Sequence, residues 1–283
     1  MEQDLRMAAE WYRKAAEQGD AEAQLWLGMF YCNGDGVEKN AYQCEKWLRK
    51  AAESGFPVAQ FFLGGLYYNG DDVPQDFTEA ARWFRLAAEQ GFAAAQHMLG
   101  RLYYNGEGVP QDFTEAVKWF RLGAKQGDVD AQFMLGKCYY KGGGVSQDFI
   151  EAVKWFRTAA ERDEADAQFR LGKCYYLGEG VEKDHSLAVE WYKKAAQQEH
   201  PEAQCALGGC YFYGEGVTKN LSTAVNWFTK AAEQGFPEAQ FSLGYCYYFG
   251  FGVAKSTARA KAWFDKAAKQ GNDKAKEVLK NYY

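Results

Sequence analysis

The chain repeats itself every 36 residues without insertion or deletion, and this period constrains its fold more than any other feature. Eight of its nine tryptophans occupy one position of the repeat. They are Trp11, Trp47, Trp83, Trp119, Trp155, Trp191, Trp227 and Trp263. A fixed period between about 20 and 50 residues is typical of solenoids built from stacked supersecondary units. The 283 residues therefore predict one elongated array rather than one or two globular domains.

Within a repeat, the hydrophobic pattern predicts two helices. Ala95 and Leu99 mark the apolar face of the first, and Ala116, Trp119 and Phe120 are expected to point inward from the second. Two helices of about 12–15 residues with a short connection form a helical hairpin. One hairpin cannot bury its apolar face alone, whereas stacked copies can. We therefore predict an all-α solenoid of stacked helix-turn-helix repeats.

The ends of these helices are marked by glycines and by capping residues. The first glycine of Gly-x-Gly suits a left-handed helix end, and the second suits another position with positive φ. Asp72 replaces the second glycine in one repeat, and we expect it to keep the same turn because aspartate tolerates this conformation. One repeat position always carries a preferred N-cap residue. Its occupants are Asn40, Asp76, Asp112, Asp148, Asp184, Asn220 and Ser256.

A further glycine recurs inside the first helix, directly after the core leucine, as in Gly100. Glycine costs about 1 kcal/mol of helix propensity, so its recurrence predicts a close contact with the partner helix.

The seven cysteines fit poorly with a full disulfide framework because their number is odd. Four share one repeat position: Cys138, Cys174, Cys210 and Cys246. Equivalent residues of neighbouring repeats lie roughly 10 Å apart, too far for a disulfide, which needs Cα atoms about 4.4–6.8 Å apart. We interpret these four as small buried apolar residues. The sequence has no CxxC motif, and we predict no metal and no cofactor.

Charge and hydropathy exclude several classes of partner. The formal net charge of −5 disfavours a nucleic-acid partner, and no apolar window is long enough for membrane insertion. The first residues are amphipathic and charged, unlike a signal peptide. We expect a cytoplasmic location for the chain as given, and a periplasmic or secreted one if an N-terminal segment has been removed. Residues 1–19 are interpreted as a partial repeat, 20–271 as seven full repeats and 272–283 as a capping helix, in a protein expected to be monomeric.

The motifs AQxxLGxxYxxGxGV and AxxWFxxAAEQG, taken together, resemble Sel1-like repeats, which are relatives of tetratricopeptide repeats. The resemblance covers essentially the whole chain. It implies a right-handed α-solenoid with a tetratricopeptide-like superhelix. It also implies a non-enzymatic adaptor that binds proteins or peptides, often in bacteria.

A cysteine-rich branch of that family bridges its two helices with a disulfide in each repeat and is associated with beta-lactam binding or hydrolysis. The bridging positions carry alanine and glutamine here, as in Ala52 and Gln60. This departure weakens that role. An envelope-associated binder or hydrolase of a cell-wall or beta-lactam-like small molecule remains the alternative function, with His97 as its candidate base. A structural spacer, with a groove closed by its own aromatic residues, is a third hypothesis.

The candidate binding residues come from comparing the repeats with one another. By analogy with tetratricopeptide arrays, first helices line a concave groove, and the stripe opposite the core has the phase of His97, Arg101 and Tyr104. Arginine and lysine on this stripe would pair with acidic side chains or a C-terminal carboxylate, while aromatic residues would supply most of the contact area. The candidates are Phe61, Tyr68, Asn69, His97, Arg101, Tyr104, Asn105, Phe133, Lys137, Tyr140, Phe169, Lys173, Tyr176, Phe241, Tyr245 and Tyr248.

Two of these assignments have a simpler alternative. The recurring tyrosine of the stripe is also explained by packing between successive first helices, and Arg101, Lys137 and Lys173 by a solvated basic stripe. Catalysis has little support. The three histidines lie at three different phases of the repeat, and the sequence contains neither HExxH nor GxSxG. We therefore predict a protein without catalytic residues.

Overall fold

The computed structural model describes residues 2–282, and Met1 and Tyr283 lie outside the described residues. Over this range the chain forms sixteen α-helices and no strand, as predicted. The helices group into two compact units, Met1–Gln147 and Asp148–Tyr283, and each is described by itself. No helix in the described range is long and apolar enough to cross a membrane.

The first unit contains eight helices, and each packs against the next one in the chain. They are α1 (Glu2–Glu17), α2 (Ala21–Asn33), α3 (Ala41–Glu53), α4 (Pro57–Asn69), α5 (Phe77–Glu89), α6 (Ala93–Asn105), α7 (Phe113–Lys125) and α8 (Val129–Lys141).

The second unit repeats this arrangement with the remaining eight helices, again packed in chain order. They are α9 (Phe149–Ala160), α10 (Ala165–Leu177), α11 (His185–Gln197), α12 (Pro201–Tyr213), α13 (Leu221–Glu233), α14 (Pro237–Phe249), α15 (Thr257–Lys269) and α16 (Asp273–Tyr282). The prediction of stacked helix-turn-helix repeats is confirmed within each unit.

The helix ends follow the sequence signals closely. All seven predicted N-cap side chains accept a hydrogen bond from a backbone N–H of the first turn; Asp112, for example, accepts from Glu115 at 3.0 Å. Gly106 ends α6 in the left-handed region, with a φ of 76°. The expectation for Asp72 is wrong. Among the described non-glycine residues only Asp163 and Glu199 have positive φ, and Asp72 instead forms an ion pair with Lys39 at 2.9 Å.

The glycine inside each first helix has the predicted packing role. A Cβ atom on Gly100 would lie 2.7 Å from the ring of Phe120, and one on Gly64 would lie 2.8 Å from the ring of Phe84. Both rings are fully buried. The absence of a side chain therefore lets an aromatic ring of the second helix lie directly on the backbone of the first.

The repeating tryptophan is less buried than the sequence pattern predicts. Trp83 is buried, but Trp119 is only half-buried and Trp11 is 69% exposed. A lysine three residues later covers part of the ring in several repeats; the Lys266 ammonium, for example, lies 4.1 Å from the ring centroid of Trp263. The tryptophan thus lies at the edge of the core, where an aromatic face and a lysine attract each other.

A buried glutamine links three helices in successive layers of each unit. Gln96 on α6 donates its side-chain N–H to the carbonyl oxygen of Ala88 on α5 at 3.1 Å. Its own side-chain oxygen accepts from Gln126, which caps α7, at 2.8 Å. In the second unit Gln204 makes the same two contacts, with Ala196 at 3.2 Å and Gln234 at 2.9 Å.

One disulfide joins the end of α2 to the start of α3. It connects Cys32 and Cys44, whose Cα atoms lie 5.0 Å apart. This pairing was not predicted from the sequence. The other five cysteines are free, and the four at the shared repeat position are buried as predicted. Burial raises the pKa of Cys174 to about 12 and that of Cys246 to about 11, so these thiols stay protonated near neutral pH.

Adjacent glycines of α4 provide a test of the packing argument. Alanine at either position removes the helix-propensity cost of glycine, about 1 kcal/mol, but at Gly64 it also overpacks the ring of Phe84, which typically costs about 1–3 kcal/mol. A Cβ at Gly65 would touch nothing within 4 Å. Gly65→Ala is therefore expected to raise the free energy of unfolding measured by urea titration, and Gly64→Ala to leave it unchanged or lower it. Equal stabilisation by both substitutions would contradict this account.

The disulfide predicts a thiol count. The oxidised, denatured chain is expected to react with five equivalents of a thiol reagent, and the reduced chain with seven. Because the bond closes a loop of about a dozen residues, reduction is expected to lower the stability of the folded protein by about 3 kcal/mol. The Cys44→Ala variant is the control, since a reductant should leave its urea midpoint unchanged. Seven reactive thiols in the oxidised protein would contradict the assignment.

Candidate peptide-binding surface

The predicted stripe lies on one side of the first helices in both units, and we call it the first-helix face. Most of its residues are half-buried, so each contacts the protein with one side and solvent with the other. Asn69, Asn105 and Tyr245 are exposed, whereas His97 is buried. The Asn105 side chain donates to Glu107 at 3.2 Å within its own turn.

The tyrosine rings of the first-helix face pack against residues of the second helices. The ring of Tyr68 lies 5.4 Å from Phe77, and the ring of Tyr104 lies 5.1 Å from Phe113. Tyr176 stacks on His185 at 4.7 Å. Its hydroxyl donates to Glu215 at 2.5 Å, and this hydrogen bond raises the pKa of Tyr176. These rings are fixed parts of the wall of the face.

The basic residues of the face lie against aromatic rings. The Arg101 guanidinium donates to the hydroxyl of Tyr68 at 3.2 Å, with its carbon 5.7 Å from the ring centroid. The Lys137 ammonium lies 5.3 Å from the ring of Phe133. Lys173, in the second unit, is half-buried. A cation held over a ring is partly preorganised, because its side chain already occupies a restricted position before a ligand arrives.

The first unit has an open cavity of about 440 Å³ on this face. Its lining includes four of the predicted residues, namely Phe61, Tyr68, Asn69 and Arg101. The sequence analysis did not select the other lining residues, which include Gly65, Met98 and the acidic pair Asp71 and Asp72. The cavity therefore combines an aromatic wall with charges of both signs.

The second unit has a larger cavity of about 690 Å³ on its own first-helix face. Phe241 and Tyr245 were predicted and line it, together with Phe212 and Phe251, which were not selected. The remaining predicted residues lie outside these two cavities. They are His97, Tyr104, Asn105, Phe133, Lys137, Tyr140, Phe169, Lys173, Tyr176 and Tyr248.

Each cavity opens where the stripe carries glycine instead of a long side chain. A Cβ on Gly65 or Gly209 would meet nothing within 4 Å, in contrast to the neighbouring core glycines. The same repeat position carries Arg101, Lys137 or Tyr245 elsewhere. The variation of the residue at this position between repeats could have revealed both cavities, but glycine was not counted as a functional residue.

His97 lies beside two acidic residues at the start of α8. Its Nδ1 atom is 3.9 Å from a carboxylate oxygen of Asp130, and its ring centroid is 6.2 Å from that of Phe120. Burial lowers the pKa of His97, although the charges of Asp128 and Asp130 oppose this shift. Burial thus favours the neutral imidazole, and the ring packs like the phenylalanines at the same repeat position.

Potential metal ligands of His97, Asp128 and Asp130 lie within 4.8 Å of one another. However, Asp128 already accepts a hydrogen bond from the backbone N–H of Ala131 at 2.7 Å, as the N-cap of α8. The N-terminus of a helix carries partial positive charge, which disfavours a cation. We therefore interpret the three residues as a helix cap with a histidine packed beside it.

The sequence profile of the Sel1 repeat matches eight consecutive segments of this chain: residues 1–20, 21–56, 57–92, 93–128, 129–164, 165–200, 201–236 and 237–272. The chain belongs to the Sel1 repeat family. Sel1 repeat proteins generally act as scaffolds for interactions between proteins.

Two solved structures show the same repeats. A protective antigen present in uropathogenic Escherichia coli strains, described as an SLR fold, is 38% identical with a TM-score of 0.88. The match covers 97% of this chain, which spans 60% of the length of that one. A Sel1 repeat protein from Oxalobacter formigenes is 37% identical with a TM-score of 0.79, covering 100% of this chain and 82% of that one. No curated protein matches this Sel1 repeat chain.

The burial of His97 predicts a pH dependence of the stability of this Sel1 repeat protein. The pKa of His97 is lower in the folded chain than in the unfolded chain. The unfolded chain therefore binds a proton below about pH 6.5, whereas the folded chain binds it only at a lower pH. Stability is therefore complete above this pH and is lost as the pH falls, by at most about 1.4 kcal/mol per pH unit. His97→Phe, which copies Phe61 and Phe133, is expected to remove this part of the slope in urea titrations between pH 5 and 8. Parallel curves for wild type and variant would contradict the assignment.

Proposed function

We propose that this chain is a non-enzymatic scaffold that binds a peptide or protein segment on the first-helix face of its repeats. One observation carries the proposal: in both units an open, aromatic-walled cavity lies on this face, where glycine replaces a long side chain. Core positions are constant between repeats because they hold the stack together. The residue at the centre of the face changes from repeat to repeat, as expected of a surface that distinguishes partners.

The mechanism follows from the chemistry of the face. Aromatic rings that are already packed on one side lose little conformational entropy when a partner covers the other side, and they supply most of the contact area. Arg101 keeps further N–H groups beside its bonds to the Tyr68 hydroxyl and the Met98 sulfur, and guanidinium groups bind carboxylates well. A segment with acidic side chains or a C-terminal carboxylate fits this combination.

The alternative function, hydrolysis of a cell-wall or beta-lactam-like small molecule, is not favoured by any described residue. His97 was its candidate base, and its ring is buried against Phe120 beside a capped helix end. The free cysteines hold their protons, since burial raises the pKa of Cys138 and Cys210 to about 11. The proposal of a binding scaffold therefore does not include catalysis.

The disulfide bears on the location of the protein. Disulfides persist in oxidising compartments and are rare in the cytosol. The Cys32–Cys44 bond therefore favours the periplasmic or secreted location over the cytoplasmic one, and we include that location in the proposal.

Charge reversal tests the basic residues of the first-helix face in each unit, Arg101 and Lys137 in the first and Lys173 in the second, which are together called the basic centre. In a pull-down, the variant Arg101→Glu/Lys137→Glu/Lys173→Glu is expected to capture about one tenth or less of the partner that the wild type captures. This corresponds to a loss of about 1.4 kcal/mol or more of binding free energy. The matched control is Arg82→Glu/Lys118→Glu/Lys154→Glu. It changes the net charge equally, with the same 36-residue spacing, on exposed second-helix positions. Circular dichroism should show both variants folded. Equal capture by both variants would exclude the basic centre.

A further inference from the structure

The cavity of the second unit lies among aromatic residues that are unusually exposed. The ring of Tyr245 lies 4.6 Å from Phe249, Phe249 stacks on Phe251 at 5.5 Å, and Phe251 meets Phe212 edge to face at 5.7 Å. Phe249 is 48% exposed, and Tyr213 at the cavity rim is 69% exposed. Contiguous exposed apolar patches of this kind mark binding sites on soluble proteins more often than chance allows.

The fold does not require these rings, because other repeats carry different residue types at the same positions. Phe251 occupies the middle of Gly-x-Gly, where other repeats carry residues such as Glu107 and Glu179. Tyr213 and Phe249 share a position that is asparagine in three repeats of the first unit. The departures from the repeat therefore converge on one place, since three aromatic residues are gained around the cavity that Gly209 opens.

The charges of the cavity also depart from the repeat. Both charged residues of its lining are lysines, Lys219 and Lys274, and both are exposed. The position of Lys274 is acidic in the four preceding repeats: Asp130, Asp166, Glu202 and Glu238. In the repeat that borders this cavity the sign is reversed, although the whole chain carries a net charge of −5.

The lining of the cavity contributes no negative charge. Cys205 stays protonated near neutral pH, because burial, and then the charges of Glu238 and Glu202, raise the pKa of its thiol to about 12. Lys219 and Lys274 are the lining residues that favour an anion. The volume of about 690 Å³ falls in the range of roughly 300–1,000 Å³ that is usual for ligand sites. It holds one large side chain with part of its flanking backbone.

We propose that this cavity binds a large aromatic side chain of an acidic peptide, with the rings of Phe212, Phe241, Tyr245 and Phe251 around it and flanking carboxylates paired with Lys219 or Lys274. This inference rests on the proposed scaffold function and names the chemistry of the segment that the second unit takes. Gly209 determines the specificity, because any side chain at its position fills the space that the aromatic group needs.

The experiment measures fluorescence anisotropy with the full chain and a fluorescein-labelled nonapeptide in which glutamates flank one tryptophan. Two further peptides replace the tryptophan by alanine or the glutamates by glutamine. The variant Gly209→Met fills the cavity with a side chain that the fold accepts, since Met29 occupies the same repeat position. The matched control is Gly143→Met, which adds the same side chain where a Cβ would also meet nothing within 4 Å, at a position outside both cavities. A third variant, Lys219→Glu/Lys274→Glu, removes the positive charge.

Tight binding to the wild type and to Gly143→Met is expected, with affinity at least roughly tenfold weaker for Gly209→Met, for the double lysine variant and for each altered peptide. Unchanged affinity of Gly209→Met, or equal affinity of the tryptophan and alanine peptides, would overturn the proposal. The absence of any binding to the wild type would overturn it as well.

The outcome separates this inference from the scaffold function. If the peptide binds Gly209→Met as it binds the wild type but is lost from the Arg101, Lys137 and Lys173 charge-reversal variant, the cavity proposal fails and the scaffold proposal stands. If capture in the pull-down is insensitive to that charge reversal while Gly209→Met still abolishes peptide binding, the cavity is a site and the basic centre is not.

Discussion

The stack depends on a pair of hydrogen bonds that a buried glutamine makes between successive helix layers. Five repeats make both bonds, through Gln60, Gln96, Gln168, Gln204 and Gln240. Gln96 accepts from one helix layer and donates to another, so its amide fixes the register of a hairpin on its predecessor. A buried amide without partners costs about 1–3 kcal/mol, which penalises any slip between layers. The bond from Gln96 to the carbonyl oxygen of Ala88 is directional, so it holds only one alignment of the two helices.

The residues that hold the layers together lie in the core, so the residues of the first-helix face can vary between repeats. Alanine, leucine, glycine, phenylalanine and glutamine hold the layers together, and none of them depends on the residue at the centre of the face. The variation there can therefore shape the surface without disturbing the core. Arg101 fills the position and lies on Tyr68, whereas Gly65 and Gly209 leave it empty and open a cavity. A repeat protein gains specificity most easily at such positions.

Local chemistry explains which parts of the fold were predictable. Helix caps depend on one side chain and the next few backbone groups, so all seven N-caps could be read from the sequence. The core glycines were predictable because their cost recurs in every repeat. Burial was harder to judge: Trp119 belongs to an apolar pattern yet lies at the core edge, while His97 interrupts an aromatic position yet is buried. The disulfide was missed because Cys32 and Cys44 belong to different phases of the repeat.

The sequence by itself determined the period, the helix pairs, their caps and the membership of the Sel1 repeat family, because these features depend on local propensity and on a pattern repeated along the chain. Only the tertiary structure decided which side chains meet across helices. It placed Cys32 against Cys44, laid Arg101 on Tyr68 and gathered Phe251, Tyr245 and Gly209 around one cavity. Such contacts depend on distances between atoms of different helices and turns, which periodicity alone does not specify.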